Sequence, residues 1–299
     1  MYKNRKIIVL FLLPSLALLM TFVIIPTFFT IFISFTDWRG LSPRRFVGLD
    51  NYLEVISRRE IINWRGIHRG RPPFGALVHN AIWIAIHVPL STALGLVLAY
   101  ILRGVRGGTV LKSIIFLGMV TPMIVGGVLL RFIYDKDAGV VNGFLRLVGL
   151  KDMAKTWTAY PGTALYSLIL GSVWIWTGFS MVVYSAGLET IPKELIEAAK
   201  VDGASGFKIF KSIVVPLLKP ATIIVVTMSV LWALKIFDIV YVATFGGPGG
   251  ASTVLALEMY IDAFFKIPSN YGTAAAIASI LTLITLGVAA YIVRYMVVR

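Results

Sequence analysis

The sequence predicts an all-α membrane protein with six transmembrane helices. Of its 299 residues, 58% are hydrophobic and only 14% are charged, a composition unlike that of a soluble globular domain. A bilayer core requires about 20 mainly apolar residues per helix. Stretches that meet this requirement lie near residues 9–34, 79–101, 110–133, 163–187, 217–241 and 273–293.

The segments between these spans are too short or too polar to form a second, soluble core. We therefore expect a single membrane domain over residues 1–299. Two of the connecting loops stand out by their residue pattern. They lie at residues 37–78, between the first two spans, and at residues 188–216, between the fourth and fifth.

Composition excludes several functional classes. The chain has no cysteine, so disulfides, thiolate metal sites and a cysteine nucleophile are excluded. Its three histidines form no metal-binding pattern with acidic residues, and no phosphate-binding G-x-x-x-x-G-K-[ST] motif occurs. The net charge of +14 is not concentrated on a soluble domain that could bind nucleic acid. We expect no catalytic residue, metal or bound cofactor, and we expect the lipid bilayer rather than nucleic acid as a neighbour.

Charge counting does not decide the orientation of the spans. With both termini in the cytoplasm, thirteen cations lie on inner segments and fourteen on outer ones, against the usual cytoplasmic excess. The outer surplus is either a surface that faces solvent and headgroups or a docking site for an external partner. Eight of these cations lie in the first long loop: Arg39, Arg44, Arg45, Arg58, Arg59, Arg65, Arg69 and Arg71.

Residues 188–216 predict a helix–turn–helix at the membrane surface. Thr190 is a candidate N-cap of the first helix, Gly203 can adopt the left-handed turn, and Ser205 can cap the second helix. The pattern alone allows an interfacial connector, a DNA-reading element or a docking element. Small side chains on one helix face favour docking, because they permit close approach. The second helix is predicted to carry an apolar stripe of Phe207, Phe210, Ile213 and Val214, ending at Pro216.

This segment resembles the EAA loop of ABC importer permeases. The matching residues are Glu197, Ala198, Ala199, Asp202, Gly203, Ala204, Phe210, Ile213 and Pro216. The resemblance implies the type I ABC importer permease fold, with residues 188–216 as a cytoplasmic coupling loop and residues 37–78 as an external loop. Both termini would then be cytoplasmic, in a multi-pass protein of the cell membrane. It also implies that the EAA residues and Phe207 contact a separate ATPase.

Further ordered matches resemble carbohydrate-uptake permeases of the maltose and glycerol-phosphate type. They include residues 34–38, residues 46–52 and Gly246-Gly247-Pro248. The implied partners are a second homologous permease, two copies of a cytoplasmic ATPase that hold ATP and Mg, and an extracytoplasmic sugar-binding protein. The implied cargo is a mono- or oligosaccharide.

Polar and aromatic side chains in the fourth and fifth spans are candidates for a sugar route. Sugars present apolar ring faces and hydroxyl edges, which suit flat aromatic and small polar groups. Their mid-depth position in the resembled family points to Ser172, Trp176, Phe179, Ser229 and Trp232. Lys235 and Asp238, spaced i and i+3 in the predicted fifth span, form either an ion pair or part of this route. An ion-coupled secondary transporter, with Asp238 as its nearest candidate carboxylate, is the alternative function.

Overall fold

The computed structural model describes residues 5–41 and 45–297, and these residues are predominantly α-helical. Two isolated β-bridges, Thr36 with Phe46 and Arg39 with Asn270, are the strand-like contacts found in that part of the chain. The termini, predicted to be cytoplasmic, and Arg44 of the predicted external loop lie outside the described residues.

The first span is a single apolar rod. Helix α1 (Arg5–Leu19) passes through a π-helical turn at Met20–Ile24 into α2 (Ile25–Ile33). The stretch Val9–Ile33 has a mean hydropathy of 2.5, and none of it is buried within the chain. Two short helices follow in the first long loop: α3 (Asp50–Ser57) and α4 (Trp64–Arg69).

The second span, α5 (Ala76–Ile101), is continuous, whereas the third is broken. Helices α6 (Gly108–Val120) and α7 (Met123–Ile133) meet at an angle of 104°. Pro122 explains the break, because proline disfavours helical geometry at the residue before it, and Thr121 is extended with ψ of 125°.

Helix α8 (Val140–Leu147) precedes the most buried span, α9 (Pro161–Glu189). Helix α9 packs against α5 and α6 through small residues. A Cβ on Gly95 would lie 2.3 Å from the Ser180 Cβ, and one on Gly178 would lie 2.9 Å from the Phe116 Cα. Small residues allow such close helix packing in membranes.

The loop at residues 188–216 contains two consecutive helical pieces. Helix α10 (Lys193–Val201) is followed by α11 (Gly206–Ile209), a π-helical turn and α12 (Val215–Leu217). Gly203 lies between them with φ of +76°, and the Ser205 Oγ accepts the Lys208 N–H, as predicted. The Thr190 prediction is wrong: its Oγ donates to the Gly187 carbonyl at the end of α9, so it closes that helix rather than starting the next.

The fifth span, α13 (Lys219–Leu234), meets the preceding helical piece at 68°. It ends before the predicted boundary at 241. The Asn80 side chain donates to the carbonyls of Ala233 and Leu234, which lack helical partners at that end.

The prediction that Lys235 and Asp238 share a helix face is therefore wrong. Lys235 closes α13, whereas Asp238 starts α14 (Asp238–Ala243). No ion pair joins the two within residues 45–297. Helices α15 (Leu255–Tyr260) and α16 (Tyr271–Val297) complete the chain that the structure describes.

Four helices among the described residues are long and apolar enough to cross a membrane, and six spans result if each bent pair counts as one. The chain divides into two compact units. One contains the described residues up to Arg58 and Glu258–Leu283, and the other contains Arg59–Leu257 and the described residues from Ile284 onward. The single domain over residues 1–299 stays a prediction.

Candidate functional site

Most side chains of helix α10 are exposed. Glu197 and Ala198 are exposed, as are the apolar side chains of Leu195 and Val201, the latter at 88%. Phe207, just beyond the turn, is 74% exposed. These exposed apolar side chains are available for contact with another molecule.

The opposite side of this segment is anchored in the core. Ile191 and Ile209 are buried in a cluster with Leu188 of α9 and Leu218 and Val225 near α13. The Phe210 ring lies 4.7 Å from the Tyr100 ring at the end of α5. The residues that flank α10 are therefore packed against the ends of three spans, α5, α9 and α13.

The predicted coupling residues separate into two groups. Glu197, Ala198, Asp202, Gly203 and Phe207 are exposed, whereas Ala199, Ala204 and Phe210 are half-buried. The predicted apolar stripe is wrong at Phe207, because Ile209 takes the buried position there and the stripe continues through Phe210, Ile213 and Val214.

The five predicted pathway residues lie together between α9 and α13. The Trp176 Nε1 donates to the Ser229 Oγ at 2.7 Å, and the Trp176 ring stacks on the Trp232 ring with centroids 4.9 Å apart. Phe179 lies 5.2 Å from Trp176. Ser172 and Ser229 are fully buried, whereas Phe179 and Trp232 are half-buried. Ser229 thus holds the Trp176 ring in place, while the rings of Phe179 and Trp232 keep part of their surface exposed.

Sequence reasoning missed His87 of α5, which forms an aromatic cluster with Trp176, Phe179 and Trp232. Its Nδ1 lies 2.9 Å from the Ser172 Oγ, and its ring lies 5.0 Å from the Trp232 ring. The side chain is fully buried, and its Nε2 has no hydrogen-bond partner among the described residues. The sequence did contain a signal for His87, because it is a titratable residue inside an apolar span. Such residues are energetically costly in a membrane and usually have a function.

Arg58, which directly follows α3, belongs to a cluster of ion pairs. Its Nη1 lies 2.5 Å from the Asp262 Oδ2, and its Nη2 pairs with Glu54. Asp262 also accepts the Thr273 hydroxyl at 2.6 Å and lies 2.6 Å from the Lys266 Nζ. Burial raises the pKa of the Asp262 carboxyl, but Lys266, Thr273 and Arg58 outweigh it and hold the pKa below its usual value.

Comparison with known proteins identifies the family. Residues 91–299 match the family model described as the binding-protein-dependent transport system inner membrane component. A probable ABC transporter permease protein of Pyrococcus horikoshii is 52% identical over 286 residues, covering 95% of this chain and 96% of that protein. This chain belongs to that family of inner membrane transport components.

Two further relatives bear on the permease. The trehalose/maltose transport system permease protein MalF of Thermococcus litoralis is 35% identical over 95% of this chain and 90% of its own length. The fold is similar to that of a solved bacterial alginate ABC transporter in complex with an alginate pentasaccharide-bound periplasmic protein. That match has a TM-score of 0.76 at 18% identity and covers 97% of this chain and 93% of the other.

The family assignment fixes the general class of the molecule. The chain is a multi-pass membrane protein and a permease subunit of an ABC importer, with the ABC importer permease fold. The comparisons give no support to the alternative of an ion-coupled secondary transporter.

Proposed function

We propose that this permease imports a mono- or oligosaccharide by alternating access, driven by ATP hydrolysis in separate cytoplasmic subunits. The observation that carries the proposal is the construction of α10. Its outer face is free for a partner, and its base is packed into the ends of α5, α9 and α13. Such a helix can transmit the movement of an attached subunit to the membrane spans.

In this proposal Glu197, Ala198, Ala199, Asp202, Gly203, Ala204, Phe207 and Phe210 form the contact with the ATPase. The segment 188–216 is cytoplasmic, so both termini are cytoplasmic and residues 37–78 are external in the cell membrane. The full complex contains a second homologous permease, two ATPase copies that hold ATP and Mg, and an external sugar-binding protein. The permease itself holds no cofactor.

A sugar is the cargo that the aromatic cluster and the relatives support best. The half-buried faces of Trp232 and Phe179 offer flat apolar surfaces, which suit the ring faces of a saccharide. The Thermococcus litoralis relative is named for trehalose and maltose, and the alginate transporter structure holds a saccharide-bound protein. In this proposal Ser172, Trp176 and Ser229 belong to the same route: Ser229 holds the Trp176 ring that stacks on Trp232, and Ser172 contacts His87.

Uncoupling variants test the first part of the proposal. Glu197→Lys reverses a charge on the exposed face of α10, and Gly203→Pro is incompatible with φ of +76°, because proline requires φ near about −65°. We expect both to abolish ATP-driven sugar uptake in proteoliposomes that contain the full complex, while membrane insertion stays normal. Asp152→Lys, a matching charge reversal on an exposed residue of another loop, should retain uptake. Normal uptake by the α10 variants would exclude the coupling role.

Two tryptophans on neighbouring spans test the sugar route. Trp232→Leu removes a half-buried ring of the aromatic cluster, whereas Trp174→Leu removes a 47% exposed ring from another face of α9. An aromatic contact contributes about 0.5–1.5 kcal/mol, so the first change should lower uptake about two- to tenfold. The second should leave uptake unaltered. Equal uptake in the two variants, at equal protein levels, would place the route elsewhere.

A further inference from the structure

Residues 59–75, which we call the basic platform, form a fixed structure on the N-terminal end of α5. The Ala76 N–H donates to the Glu60 carbonyl at 2.7 Å, and the Phe74 N–H donates to the His79 Nε2 at 3.0 Å. Ile61, which belongs to the platform, is buried. The platform is therefore attached at both of its ends to a membrane span.

The Asn63 side chain links α4 to the chain that returns towards α5. Its Oδ1 accepts the Gly66 N–H at 3.1 Å, and its Nδ2 donates to the Pro73 carbonyl at 2.7 Å. A Cβ on Gly66 would lie 2.1 Å from the same carbonyl oxygen, so α4 rests directly on the returning chain. These contacts give the helix a defined orientation.

The outward arc of α4 is basic and aromatic. At 3.6 residues per turn, Trp64, His68, Arg65 and Arg69 occupy adjacent positions over about 140° of the helix circumference. All four are exposed, Trp64 by 64%. The Gly66 position lies outside this arc and faces the chain beneath.

The charge of the platform is unbalanced. It contains Arg59, Arg65, Arg69 and Arg71 against one carboxylate, Glu60, and all five are exposed. Across residues 45–297 no ion pair involves any of these arginines. The platform therefore carries an excess positive charge, which an anionic partner would offset.

We propose that the basic platform docks a carboxylate-rich surface of the external binding protein. The proposal rests on the proposed function, since that function places residues 37–78 outside the cell. The guanidinium group binds carboxylates through two parallel hydrogen bonds. Arginine and tryptophan are also the residue types that contribute most at protein interfaces. The family model that the chain matches describes a binding-protein-dependent transport system, which favours a protein partner over lipid headgroups.

The test uses the complete transporter in nanodiscs of phosphatidylcholine. Its probe is the binding protein that drives sugar uptake through the same complex in proteoliposomes. Arg65→Gln with Arg69→Gln should slow association of the binding protein about tenfold at low salt and reduce its salt dependence, since surface charges mainly set association rates. The matched control removes two exposed cations from another loop, Lys136→Gln with Lys151→Gln, and should leave the rate unchanged.

Three outcomes would overturn the proposal. Equal association rates for the platform variant and the wild type, with uptake intact in the wild type, would exclude docking and leave the proposed function standing. A platform variant that binds its partner normally but loses affinity for phosphatidylglycerol vesicles would assign the surface to lipid instead. If no binding protein drives uptake in the wild type, the proposed function itself fails, and the docking proposal fails with it.

Discussion

Arg58 and Arg59 are neighbours in the sequence, yet their surroundings differ completely. Arg58 is 14% exposed and pairs with Glu54 and Asp262, whereas Arg59 is exposed and has no ion pair in the described chain. The first belongs to the loop that ends one compact unit, and the second begins the basic platform in the other. Arginine content alone thus says little about a loop, because burial and partners decide between a structural and a binding role.

The largest expected effect comes from Arg58→Met. The change leaves the buried Asp262 carboxylate without one of its cationic partners, and breaking a buried ion pair costs about 3–5 kcal/mol. We expect a clear loss of thermal stability in detergent, measured by the melting temperature. Arg59→Met, one residue on, should stay within about 0.5 kcal/mol of the wild type. Equal melting temperatures would remove the distinction between the two arginines.

Acidification should weaken the same ion cluster by a smaller amount. The folded-state pKa of Asp262 lies below its unfolded value of about 3.9, so its stabilisation is complete above that pH and is lost as pH falls through the folded pKa. The melting temperature of the wild type should fall over this acidic range. Asp262→Asn should begin lower and show a shallower pH dependence, and an unchanged slope would contradict the assignment.

Asn63→Ala should produce the smallest global effect. It removes the cap of α4 and the bond to the Pro73 carbonyl, a loss of about 1–2 kcal/mol that is confined to the platform. We expect faster amide exchange across residues 64–75 with little change in melting temperature. Ser57→Ala, which removes an exposed hydroxyl outside the platform, provides the comparison. Unchanged exchange would show that the platform is held by other contacts.

Much of this architecture can be predicted from the length of the apolar stretches and from the residue types at turns. The first, second, fourth and sixth predicted spans fall on long helices, and the Gly203 and Ser205 assignments follow from backbone requirements. The early end of α13 could not be predicted, because it depends on Asn80, more than 150 positions away. Local pattern also cannot distinguish Phe207 from Ile209, since tertiary packing decides which of them is buried.

The candidate site shows the same limits. Ser172, Trp176, Phe179, Ser229 and Trp232 are brought together as the resemblance implied, although their role in transport stays a prediction. His87 was not among them, because a single histidine in an apolar span carries no pattern to extend. Its relation to Ser172 and Trp232 emerges only when α5 packs against α9 and α13.

The stretch Val9–Ile33 adds a consequence for biogenesis. None of it is buried in the chain, so its insertion depends on its own apolar length rather than on later helices. A charged substitution there would therefore act at the translocon, by hindering entry into the bilayer.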